Sequence, residues 1–359
     1  MSGAAAPAAG GRVLVVRFGS LGDVVLSFAA CAALARARPG MALSYLVKEA
    51  YAELVRAQPW ADEVLGLAEA DRGADGARRW RERLTSGAWD AVLDLQGSAR
   101  SRYLLRGLAP RIVRWGGRGL ERRAWVWGRT ARRLGWRPPA VRAAWLRFHD
   151  AAARLGAGPA EPPHAAVPAE AAATAAEFLA GWGVGGSESV VAFAPAAAWP
   201  TKEWPEHHAL ALAEHLLADG CRLLLVSTAA ERQRLALLDR CVAGEARAAW
   251  FTGPLPVAAA LLARATAAVT PDSGLMHLAA AVGTPVVGLF GSTVPELGFA
   301  PAGPGHGVLG LALSCRPCAV HGRRRCPLGH FACLAGLEPH AVRRELAAVL
   351  ARQRPLGLG

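Results

Sequence analysis

From Arg12 onward, apolar runs of four to seven residues alternate with longer helix-forming stretches, and this rhythm narrows the choice of fold more than any other feature. RVLVVR (Arg12–Arg17), ALSYLV, EVLGL, WDAVLDL and RIVRW are apolar almost throughout instead of alternating in and out, as expected of strands covered on both faces. Helical runs such as VVLSFAACAALARA separate them, which points to a parallel sheet with crossover helices. A Pro-rich stretch, GPAEPPHAAVPAE from Gly158 to Glu170, interrupts the pattern as a linker would. The alternation then restarts with SVVAFAP, CRLLLVS, AAWF, ATAAVT and PVVGLF, and helices are expected at about Glu206–Ala218, Ala230–Cys241 and Gly274–Val282. The fold class is therefore α/β, with two Rossmann-like domains over residues 11–160 and 169–359, expected to face each other across a cleft. In such sheets ligands bind beyond the carboxyl ends of the strands, so functional side chains belong at strand-to-helix turns.

A chain of 359 residues with 53% hydrophobic content has enough apolar surface for two cores and is not of a disordered composition. MSGAAAPAAGGR has no apolar signal core, and no apolar run reaches the length of a membrane span, so the expectation is a cytoplasmic protein with at most peripheral membrane contact. The net charge of +13 is concentrated in one place. Between Gly97 and His149 there are fourteen Arg against a single acid, Glu121, a surplus equal to that of the whole chain.

Three polar clusters fall at strand ends. In Phe18-Gly19-Ser20-Leu21-Gly22-Asp23, two glycines let the backbone approach a ligand, and free N–H groups at a helix start favour an anion. Asp23 is either a first-turn acid matched to the helix dipole or a general base. The second cluster, PAAAWPTKEWP (Pro195–Pro205), carries Lys202, a compact positive charge suited to phosphate, or simply a solvated loop lysine. The third is DSGLMHLAA (Asp272–Ala280). Here Asp272 or Ser273 can cap the next helix, Gly274 lets a diphosphate come close, and His277 is either a donor to a ligand or a core histidine. The turn after the first strand, Phe18–Asp23, is not G-x-G-x-x-G and no Walker lysine follows it, which argues against a nicotinamide dehydrogenase and a P-loop enzyme.

Together these clusters resemble the heptosyltransferases of glycosyltransferase family nine; DSGLMH is more similar to the heptosyltransferase II branch, while the DLQG stretch leans toward heptosyltransferase I, so the acceptor stays open between them. The resemblance rests on LGD (Leu21–Asp23), VLDLQGSARS (Val92–Ser101), the Pro195–Pro205 stretch, VSTAAERQR (Val226–Arg234) and the Asp272–Ala280 motif. It implies a GT-B fold, with an acceptor-binding N-terminal domain and a donor-binding C-terminal one. The implied reaction is inverting transfer of heptose from ADP-heptose, as co-substrate, to a lipid-linked lipopolysaccharide core, with no cofactor or metal required. By the same resemblance Asp23 and Lys202 are catalytic. Ser20, Gly22, Thr201, Glu231, Asp272, Ser273, Gly274 and His277 bind the donor, and Gln96, Arg100, Arg102 and Arg106 bind the acceptor. Arg102 and Arg106 are spaced i,i+4, as on one helix face. The Arg-rich segment and its five Trp suit an anionic acceptor at the cytoplasmic face of the inner membrane, and nucleic acid is not expected. Other readings are a relative using another nucleotide sugar or surface glycan, and a non-catalytic glycan- or nucleic-acid-binding relic.

Seven Cys include the cluster Cys315-x2-Cys318-x7-Cys326-x6-Cys333. Its second half lacks the compact spacing of a paired-knuckle zinc site, so reduced thiols come first, zinc second and a disulfide third.

Overall fold

Val13 to Val16 have no exposed surface, as a strand sandwiched between helix layers requires. The computed structural model describes residues 10–116, 119–128, 134–136, 138–185 and 188–353. Contacts divide the chain into two units, residues 1–118 with 143–167, and 119–142 with 168–359.

The first unit holds a five-stranded sheet of β1 (Arg12–Val16), β2 (Ala42–Lys48), β3 (Glu63–Leu67), β4 (Ala91–Asp94) and β5 (Arg111–Arg114). All neighbours are parallel, in the order β3-β2-β1-β4-β5, and Val16 is flanked by Leu46 and Asp94. The helix Leu21–Ala37 is Ala-rich and buried along most of its length, so it packs closely against the helix Ala144–Ala153. The Pro-rich stretch is tied down: Ala166 N–H donates to Gln58 Oε1 at 2.9 Å, and Gln58 Nε2 donates to Ala166 O at 3.2 Å.

The second unit holds β6 (Val190–Phe193), β7 (Arg222–Val226), β8 (Ala248–Phe251), β9 (Ala267–Pro271), β10 (Val286–Leu289) and β11 (Gly307–Leu309), in the order β11-β10-β9-β6-β7-β8 and again parallel. Buried Phe193, Leu212, Leu225, Val269, Leu289 and Leu346 form its core. Trp204 sits in it with its indole N–H on Leu337 O, which fastens the loop after β6 to the C-terminal segment.

Three local differences from the sequence reading have physical causes. The single helix expected over Ala230–Cys241 is two, Ala229–Arg234 and Ala236–Val242. Glu206 Oε1 accepts from the N–H groups of Leu237 and Leu238, which gives the second helix its own N-terminal cap. β11 was not anticipated, because three residues in a Gly-rich stretch carry no readable period. Residues 119–142, expected with the N-terminal domain, pack with the second unit. Val141 N–H donates to Glu296 O at 2.7 Å, and the backbone comes so close at Gly298 (φ +82°) that a Cβ would lie 2.7 Å from Arg142 O.

Candidate functional site

Both sheets reverse strand order beside their first strand, between β1 and β4 and between β6 and β9, and the polar clusters gather at the carboxyl ends of these pairs.

In the first unit, β1 runs into Arg17, which is 7% exposed. Its guanidinium donates to Leu95 O at 2.7 Å, lies 5.4 Å from the Phe148 ring and forms an ion pair with Asp23. Asp23, on the first turn of the helix Leu21–Ala37, also accepts from Ser20 Oγ at 3.3 Å. Its carboxylate is 18% exposed, so it is held in a fixed orientation yet reachable from solvent. Gly22 lies buried on the same turn. Phe18 N–H donates to Gln96 Oε1 at 3.0 Å, joining the loops after β1 and β4. The β4 loop is built by Asp94, which accepts from the N–H groups of Gln96 and Gly97 and from Ser101 Oγ. Gly97 takes φ +63°, the left-handed conformation this turn needs.

Among the expected acceptor residues, Arg100 donates to Asp71 O at 2.7 Å and lies 5.7 Å over the Phe18 ring. Arg102 and Arg106 are exposed. They do not share a helix face, because the helix ends at Leu104 and the chain turns at Leu105 and at Gly107 (φ +74°), leaving Arg106 beyond it.

In the second unit, Lys202 Nζ lies 2.6 Å from Asp272 Oδ2, and Thr293 Oγ1 donates to the same oxygen at 2.6 Å. The Lys202 and Asp272 side chains are 12% and 5% exposed. One side chain each from the loops after β6, β9 and β10 therefore meets around a single carboxylate. Ser273 precedes the helix Gly274–Ala281, with its hydroxyl 3.0 Å from that of Thr270. The lysine and the Gly274 helix N-terminus both favour negative charge. His277 is buried on this helix at 5% exposure.

Two expected donor contacts are otherwise engaged. Thr201 Oγ1 donates to Arg323 O and accepts from Arg323 N–H and Ser292 Oγ, which uses its whole hydrogen-bonding capacity. Thr201 is thus a fastener of the Lys202 loop and not a ligand contact. Glu231 follows β7 but closes a capping box with Thr228, its Oε2 accepting from the Thr228 N–H at 2.8 Å and hydroxyl at 3.0 Å.

Arg17, Ser292 and Thr293 were not picked out from the sequence. The signal was present, since GST after PVVGLF is another polar cluster at a strand end. Arg316 also went unnoticed. Its buried guanidinium donates to the carbonyls of Phe290, Gly291, Thr293 and Leu311 and so holds the β10 loop, and burial pulls its pKa below the usual arginine value. All seven Cys are free thiols, and among the described residues no group of three or more His, Cys, Asp or Glu is arranged to hold a metal. No described helix is long and apolar enough to cross a membrane.

Two doubly wound α/β units in tandem are the architecture of the GT-B glycosyltransferases. The family model described as glycosyltransferase family 9 (heptosyltransferase) matches residues 77–328. Lipopolysaccharide heptosyltransferase 1 of Pseudomonas aeruginosa is 33% identical over 327 residues, covering 86% of each chain. The chain belongs to glycosyltransferase family 9. Among solved structures, the family 9 glycosyl transferase of Veillonella parvula superposes with a TM-score of 0.77 at 20% identity, over 96% of this chain and 98% of that one. An E. coli heptosyltransferase solved with ADP gives 0.67 at 25% identity, over 94% and 99%.

Proposed function

We propose that this enzyme transfers heptose from ADP-heptose to the inner core of lipopolysaccharide, with inversion at the anomeric carbon. The observation that carries the reading is the meeting of Lys202, Asp272 and Thr293 beside a helix N-terminus, in a chain similar to a heptosyltransferase solved with ADP. Asp23 takes the proton of the acceptor hydroxyl as that oxygen attacks C1. The bond from C1 to the diphosphate oxygen breaks on the opposite face, and ADP leaves. Lys202 and the helix N-terminus at Gly274 take up the charge developing on the diphosphate, so no metal or other cofactor is required. Asp272 holds Lys202 in place and meets donor hydroxyls, and Glu231 meets them through Oε1, the oxygen its capping box does not use. Ser20 and Gly22 line the donor side of the base.

The N-terminal unit binds the acceptor, with Gln96, Arg100, Arg102 and Arg106 facing its carboxylates and phosphates, and the C-terminal unit binds the donor. The enzyme works in the cytoplasm, in peripheral contact with the inner membrane.

The test is acceptor-dependent ADP release from ADP-heptose with a truncated core acceptor, in the presence and absence of EDTA. Turnover unchanged by EDTA is expected. ADP binding without transfer to any core acceptor would remove the acceptor assignment, and faster release from another nucleotide sugar would remove the donor assignment.

A further inference from the structure

The helix Leu120–Trp127 presents two unlike faces. Arg122 and Trp125 are buried: Arg122 Nε donates to Leu297 O at 2.9 Å and its guanidinium lies 4.2 Å from the Phe299 ring, while Trp125 Nε1 donates to Pro139 O at 2.9 Å. These contacts hold the helix to the second unit. Leu120, Arg123 and Trp127 are spaced i, i+3, i+7 and therefore share the opposite face. Leu120 is 57% and Trp127 70% exposed, with the Arg123 guanidinium 5.7 Å from the Trp127 ring. Beyond the helix, Leu134 and Trp136 are 84% and 53% exposed. Nine large hydrophobic side chains are exposed among the described residues, and four of them fall within Leu120–Trp136. Such clustering marks a surface that something else covers. Arg123 brings a guanidinium to this face, and the sequence from Arg118 to Arg137 as a whole carries seven Arg, the buried Arg122 among them, against Glu121 alone.

We infer that this face docks on an anionic phospholipid bilayer. Trp rings and Leu side chains suit the headgroup–acyl boundary, and guanidinium forks suit lipid phosphates, so both halves of the surface are satisfied by one partner. Single-stranded nucleic acid would engage the Trp rings by stacking but has no use for Leu120 and Leu134, which offer no ring face. The inference deepens the peripheral membrane contact proposed above. It is read by binding and not by turnover, so it stands or falls separately from the transfer reaction.

The experiment is co-sedimentation of the full chain with vesicles of phosphatidylcholine alone or with ~30% phosphatidylglycerol, at ~0.15 M salt. The wild type should bind the anionic vesicles and not the neutral ones. Leu120→Ser with Trp127→Ser should weaken binding about tenfold or more, and Arg123→Glu by a smaller factor. Both variants should keep wild-type circular dichroism and ADP binding, and Trp136→Ser supplies an independent second site. The inference is overturned if the wild type ignores anionic vesicles or if the serine variants bind as the wild type does. Tighter binding to single-stranded DNA than to vesicles at matched salt would also overturn it. So would a loss of self-association in the serine variants with vesicle binding unchanged.

Discussion

Replacing Asp23 tests two roles that the structure separates, proton acceptor and partner of a buried cation. A positioned base supplies roughly 10²–10⁴-fold in rate. At about 1.4 kcal/mol per decade, its loss raises the barrier by roughly 3–5 kcal/mol. Asp23→Asn keeps the shape and an oxygen for Arg17, so it should lose that rate with only a small change in stability. Asp23→Ala also leaves the Arg17 guanidinium, whose side chain is 8% exposed, without its counter-charge. Breaking a fully buried pair costs about 3–5 kcal/mol, and here the partly exposed carboxylate and the retained Leu95 carbonyl reduce the expectation to about 2–3 kcal/mol. Adding Arg17→Met should restore most of that stability and none of the activity. The readouts are acceptor-dependent ADP release, ADP binding and urea unfolding. An Asn variant within tenfold of wild-type kcat would refute Asp23 as the base. A double variant less stable than Asp23→Ala would refute the account of Arg17.

Lys202→Met should lower kcat by about 10²–10³-fold, as expected for losing one preorganised positive group at a leaving oxygen, and weaken ADP binding less; a change confined to acceptor KM would refute its role. Cys326 should be the first thiol alkylated in the native protein, followed by mass spectrometry. Burial pushes its pKa up, but the backbone N–H groups of Phe331, Leu328, Gly329 and His330 around the sulfur bring it below the ordinary thiol value. Burial instead pushes the pKa of Cys31 far above that value, so equal labelling of Cys31 would refute this ordering. His306 should make the fold acid-sensitive. Burial lowers its pKa, and its Nδ1 accepts from Val286 N–H while Nε2 donates to Ala302 O, an arrangement only the neutral ring can make. Because the folded pKa lies below the unfolded value of about 6.5, this stability is present above that pH and is lost as pH falls through the folded pKa. His306→Gln should flatten the decline in melting temperature on acidification, and an unchanged slope would count against it.

The strand ends were legible because buried parallel strands are unbroken apolar runs, so any Asp, Lys or Ser beside them stands out. That is how Asp23, Lys202 and Asp272 were found. Their partners were not legible. Lys202 and Asp272 are seventy positions apart in sequence, and only the order of β6 and β9 in the sheet brings them together. Arg17 looked like the polar end of a strand, and nothing local shows that it lies under Asp23. Thr201 has the residue type of a ligand contact, yet hydrogen bonds to Arg323 and Ser292 occupy its hydroxyl, and the capping box with Thr228 takes one of the two carboxylate oxygens of Glu231. The attachment of residues 119–142 to the second unit depends on carbonyls at Glu296 and Leu297, far along the chain and without a sequence pattern of their own.

The four carbonyls gathered by Arg316 bear on how donor preference can change, in evolution or by design. Three belong to Phe290, Gly291 and Thr293, the segment that also presents a hydroxyl to Asp272, so its main chain is already committed to a cation inside the fold. New side chains can be tried there, but insertions and deletions break several bonds at once. The turn after β7 carries no such buried cation: the capping box of Thr228 and Glu231 and the Ser227 N–H on Phe251 O hold it, so it can lengthen or shorten with fewer bonds broken. If the donor lies where proposed, a change of preferred nucleotide should therefore enter through the β7 turn, while the β10 loop keeps its length.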